Sequence, residues 1–104
     1  MSVFSKAKKV NLIIYDGGKE DGDRVTITAN GKVILKSYQA NNTKRIIPIF
    51  LTDDKTELVI TANNEGSIAP NTVVVELEDG DNTIKALSNL KVGETTQIDI
   101  LKAK

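Results

Sequence analysis

The chain has no cysteine, no histidine and no tryptophan. Without cysteine there is neither a disulfide frame nor a zinc–thiolate site. Without histidine the usual general base and the commonest transition-metal ligand are missing. A metal bound here has to be a hard, oxygen-liganded cation such as Ca²⁺. An excess of one charge is also lacking, because 14 Lys and Arg stand against 14 Asp and Glu. That balance argues against nucleic acid as the main partner, since phosphate binding wants a basic surplus. No apolar run approaches the ~20 residues of a membrane-spanning helix, so no membrane partner is expected. The opening Met1-Ser-Val-Phe-Ser-Lys-Ala-Lys-Lys9 has no apolar signal-peptide core, and the expectation is synthesis in the cytoplasm without general export. No segment shows helical periodicity.

Alternation with a period of two is present throughout. Val10, Leu12 and Ile14 share one face of a first strand, and Val25, Ile27 and Ala29 one face of a second. Asn30-Gly31 is a strong hairpin signal, because a type I′ turn needs positive φ at both positions. Further strands are expected over 32–38, 44–51, 57–62, 72–77, 83–87 and 95–101. Leu58, Ile60, Ala62, Val73, Val75, Leu77, Ile98 and Ile100 are expected to point inward. Pro48 inside the fourth strand marks it as an edge strand or a bulge. About eight short strands separated by turn signals predict an all-β fold, an antiparallel β-sandwich of Ig-like or jelly-roll-like type. The 104 residues suit one domain. Residues 1–8 are expected to be a basic, solvated arm with Val3 and Phe4 as anchors, and 9–104 a single sandwich domain.

The sharpest local signal is the acidic, glycine-rich loop Asp16-Gly-Gly-Lys-Glu-Asp-Gly-Asp23. Asp16, Glu20, Asp21 and Asp23 have the closely spaced carboxylates that a Ca²⁺ site uses. They lack the alternating ligands and distant glutamate of an EF-hand. The second reading is turn chemistry, with Asp side chains accepting backbone N–H groups and Gly17, Gly18 and Gly22 supplying positive φ. Asn63, Asn64, Pro70 and Asn71 suggest a structured corner. A sugar-binding edge is the alternative there, though carbohydrate sites normally use an aromatic platform and the aromatics here are two Tyr and two Phe. Thr26, Thr28, Thr61, Thr95 and Thr96 are nucleophiles without an activating partner, so no enzyme is expected. Lys6, Lys8, Lys9, Lys102 and Lys104 read as solubilising charge.

The fourth strand is apolar on both faces, with Ile46, Pro48 and Phe50 on one and Ile47, Ile49 and Leu51 on the other. One face can be core, and the other has to be covered. The partner-binding candidates are Val3, Phe4, Ile47, Ile49, Phe50 and Leu51, with a protein partner or self-association expected.

Tyr15-Asp-Gly-Gly-Lys-Glu-Asp-Gly-Asp-Arg-Val-Thr-Ile27, then Asn30-Gly-Lys-Val33, then Ala62-Asn-Asn-Glu-Gly-Ser-Ile-Ala-Pro-Asn-Thr72 together resemble a small β-sandwich module of Bacteroidetes proteins and their phages. Gly17 stands where the family pattern has Asn, and Ala69 where it has the first of two prolines. The resemblance covers about residues 10–77 and implies an accessory unit without a catalytic constellation. A free-standing copy implies a virion component assembled in the host cytoplasm, such as an auxiliary protein decorating the capsid of a crAss-like phage. Its partners would then be the major capsid protein or other virion proteins. The alternative is a carbohydrate- or Ca²⁺-dependent adhesion module.

Overall fold

The alternating apolar residues build two sheets that close over one another. The computed structural model describes residues 2–17, 22–64, 73–80, 82–87 and 91–103. Among these, nine strands form: β1 (Ser2–Ser5), β2 (Lys9–Asp16), β3 (Arg24–Ala29), β4 (Lys32–Gln39), β5 (Arg45–Phe50), β6 (Lys55–Ala62), β7 (Val73–Glu78), β8 (Thr83–Leu87) and β9 (Thr95–Lys102). The five-stranded sheet has the order β1-β9-β6-β3-β4, and the four-stranded sheet β5-β2-β7-β8. Every pairing is antiparallel except β1 with β9. The fold is a β-sandwich.

The period-two residues meet between the sheets as expected. Leu12, Ile14, Val25, Ile27, Leu58, Ile60, Val73, Val75, Leu77, Ile98 and Ile100 form one buried cluster. Burying an aliphatic side chain of this size contributes about 1.5–3 kcal/mol. That contribution is what holds the pleat in this register, since a one-residue slip would turn the whole set to solvent. Asn30 and Gly31 both take positive φ, at 50° and 82°, and the turn is pinned from β6, whose Glu57 N–H donates to Asn30 Oδ1 at 2.8 Å.

Residues 2–5 are not part of a solvated arm. They form a strand at the rim of the larger sheet, with Val3 packed against the core and Ser5 buried. Alternation over four residues was enough, because the β9 edge was open to a strand and Ala103 N–H ties it by donating to the Ser5 carbonyl at 2.7 Å.

A second departure is a bulge. β3 has six residues and β4 eight across a two-residue turn, and the pairing shifts between Val25 and Ile27 and between Ile27 and Thr28. Ser37 takes up the first of these shifts at φ 46°, a region costly for a residue with a Cβ. Thr26 Oγ1 accepts the Ser37 N–H at 3.0 Å, and Arg24 Nη1 donates to the Ser37 carbonyl at 2.8 Å.

Candidate functional site

Two regions carry the residues that the sequence singles out, and they differ in kind. The first is the polar corner at the end of β2 and the start of β3. The Asp16 N–H donates to the Asn41 carbonyl at 2.8 Å and the Ala40 N–H to the Asp23 carbonyl at 3.0 Å. Asn42 Nδ2 donates to the Asp16 carbonyl at 3.2 Å. Asn64 works in both directions, accepting the Arg24 N–H at 2.7 Å and donating to the Gly22 carbonyl at 3.1 Å. Gly22 sits at φ 87°, where a side chain would be strained.

Asp16 and Asp23 are buried within this corner, and each makes further polar contacts in the fold. Gly18, Glu20 and Asp21, along with Pro70 and Asn71, lie outside the described residues. Among the described residues, no group of three or more acidic side chains gathers to hold a metal. Asn63 and Asn64 are bound into the corner as well, Asn63 accepting the Thr26 hydroxyl at 2.7 Å. Thr26 is therefore spent on structure, as acceptor for the β4 bulge and donor to Asn63.

The second region is β5, which pairs with β2 alone and forms the edge of its sheet, where Pro48 is tolerated. Val10 and Leu12 face the core, and their partners across the ladder are Ile49 and Ile47. Those two residues therefore face inward: Ile49 and Leu51 are buried, and Ile47 packs against the core. This corrects the expected partner-binding set, because Ile47, Ile49 and Leu51 are core residues. The outward set is Ile46, Pro48 and Phe50, with Ile46 59% and Phe50 67% exposed. Val3 likewise packs inward, whereas Phe4 is 70% exposed. Phe4 faces out from the five-stranded sheet and Phe50 from the four-stranded one, so the structure does not bring them together.

The backbone phase of β5 follows from one bond. The Leu51 N–H donates to the Lys8 carbonyl at 2.8 Å, so by alternation Ile49, Ile47 and Arg45 bond to β2. Ile46, Pro48 and Phe50 then present their backbone to the open edge. Pro48 has no N–H, so the middle donor of that edge is absent. Addition of a further strand is disfavoured here, which leaves the side-chain face as the surface available to a partner.

Lys44 lies beside this face, and Arg45, in phase with Ile47 and Ile49, reaches the other sheet. Lys44 Nζ lies 5.0 Å from the centre of the Tyr15 ring, and Arg45 lies 5.3 Å from that of Tyr38, bridging the edges of the two sheets. These are cation–π distances. From residue 24 through 52 the chain carries Arg24, Lys32, Lys36, Lys44 and Arg45 and no acidic residue. That stretch makes β3, β4 and β5, so the β4–β5 side of the sandwich is basic although the whole chain is neutral. An acid-free run is readable in the sequence; a whole-chain charge balance conceals it. Beside the patch, the Tyr15 hydroxyl donates to Glu76 Oε1 at 2.5 Å. That bond, with burial and the Glu76 charge behind it, raises the Tyr15 pKa above its ordinary value.

Comparison with protein-family models, curated proteins and solved structures finds no match to the chain.

Proposed function

We propose that the chain is a non-enzymatic structural protein that docks onto another protein through the outward face of β5 and Lys44 beside it. The observation that carries this reading is the exposure of Ile46, Pro48 and Phe50 together on an edge strand. Apolar side chains grouped this way mark contact surfaces more often than isolated ones do. A stable interface needs about 800 Å² from each partner, more than three side chains supply. Lys44, over the Tyr15 ring beside this face, extends the surface and favours an acidic partner. The setting proposed is a phage virion, as an auxiliary protein seated on the capsid. The resemblance of the loop and corner motifs to the Bacteroidetes and phage module supports that setting.

The test is the protein composition of purified particles of the phage that encodes this chain. The chain is expected at a fixed ratio to the major capsid protein. Particles that lack it overturn the virion assignment.

A further inference from the structure

We infer that β1 is an exchangeable strand, able to leave the β9 edge of its own molecule and occupy the same edge of a second copy. The inference stands apart from the β5 surface and rests on how β1 is held.

β1 is four residues long and is the parallel partner at the rim of its sheet. Its anchors outside the β9 ladder are Val3, packed against the core, and the buried Ser5. The Ser5 hydroxyl donates to Asp79 Oδ2 at 3.3 Å and its carbonyl accepts the Ala103 N–H, while Phe4 points to solvent. Beneath β1 lies a small cleft of about 10 Å³, lined by Val3, Val10, Leu77, Ile84 and Ile100, with room for about one water.

The connection to β2 is Lys6-Ala7-Lys8, three residues that carry the chain from one sheet to the other. The crossing is tight: the Ala7 N–H donates to Ser5 Oγ at 3.1 Å, while the Lys8 carbonyl is held by Leu51. Lys6, Lys8 and Lys9 are exposed in and beside this bend. Short connections under such constraint favour exchange between copies. Once extended, β1 and β2 form one long arm, and three residues span about 10 Å.

The fit of β1 to a second copy needs no new chemistry. The register Ser2 to Asp99, Val3 to Ile100, Phe4 to Leu101 and Ser5 to Lys102 is recreated whole on the neighbour. What decides the balance is the hinge and the concentration. A short tether holds its own strand at an effective concentration in the millimolar range, so exchange becomes visible as the protein approaches that range. A reciprocal exchange closes a dimer, and a sequential one builds a chain of copies.

The absence of cysteine makes the test direct. Two full-length variants, Phe4→Cys and Leu101→Cys, are unfolded together, refolded at about 10 µM or about 1 mM, and oxidised. Positions 4 and 101 pair in register, within reach of a disulfide, and in this mixture can link only between copies. The expected result is a 4–101 heterodimer whose yield rises at least about tenfold from the lower to the higher concentration. A control mixture of Phe4→Cys with Val92→Cys, also at an exposed position, is expected to show no such rise. The double variant Phe4→Cys/Leu101→Cys reports the closed form as a link within one chain. Closure within single chains with no interchain link at 1 mM overturns the inference. So does the absence of both links, because β1 would then not occupy β9 in any copy. Should either substitution unfold the chain, Ser2→Cys with Asp99→Cys repeats the test one register pair away.

Discussion

The polar corner and the β5 face invert the usual distribution of residues. The corner places two carboxylates inside the protein, and the β5 face places an isoleucine, a proline and a phenylalanine outside it. Around the two carboxylates, Ala40, Asn41, Asn42 and Asn64 bind the backbone at the two described ends of the loop. Exposed apolar groups gain nothing within the monomer. The described ends of the acidic loop, the most conspicuous stretch of the sequence, are therefore part of the scaffold. The plainer strand β5 is where a partner has something to gain.

Substitutions should separate the two regions sharply. Asp23→Ala removes a fully buried side chain that has a polar contact in the fold, so it is expected to destabilise the fold by about 2–3 kcal/mol in urea unfolding. A loss below about 0.5 kcal/mol would mean the corner is not structural. Ser37→Gly acts between the regions, where the bulge links Thr26 and Arg24 to β4. Relief of its positive φ is expected to stabilise by about 0.5–1 kcal/mol, read as a higher Tm; a lower Tm would show that glycine's freedom in the unfolded chain outweighs the strain.

Tyr15→Phe has a smaller expected effect, below about 1 kcal/mol, since the hydrogen bond to Glu76 is partly solvated. Its signature is in the pH dependence. The raised pKa means that the folded state keeps the phenol proton after the unfolded state has released it. This contribution is complete below the ordinary tyrosine value of about 10 and is lost as pH rises through the raised one. The variant should flatten that alkaline limb of the stability curve, and an unchanged limb would remove Tyr15 as its cause. On the turn reading of the loop, millimolar Ca²⁺ is expected to leave the Tm unchanged. A rise that chelation reverses would restore the cation reading of Asp16, Glu20, Asp21 and Asp23.

Much of the fold was legible in the residues. The alternation of Val10, Leu12 and Ile14, or of Leu58, Ile60 and Ala62, leaves one way to bury an apolar face, and Asn30-Gly31 sets the hairpin between β3 and β4. What escaped was decided by tertiary context. Ser2 to Ser5 is too short to declare itself a strand until the β9 edge is there to receive it. Ser37 is not a glycine, so its positive φ was silent. On β5 both faces were apolar, and composition alone could not say which faced inward. The pairing of Val10 with Ile49 and Leu12 with Ile47 settles it. The basic side of the sandwich was hidden in a neutral sum, and only the arrangement of β3, β4 and β5 gives the acid-free run a location.

The smallest expected effect on stability belongs to Ile46→Ser/Phe50→Ser, within about 0.5 kcal/mol of the parent, because neither side chain is part of the core. That near-neutrality makes the pair the most direct test of the central claim. Phage particles are assembled with the parent chain or with the double variant, and the amount of each is measured against the major capsid protein. The account predicts a fixed ratio for the parent and loss of at least about nine-tenths of the variant, equivalent to about 1.4 kcal/mol of binding free energy. A folded variant retained at the parent ratio would contradict it.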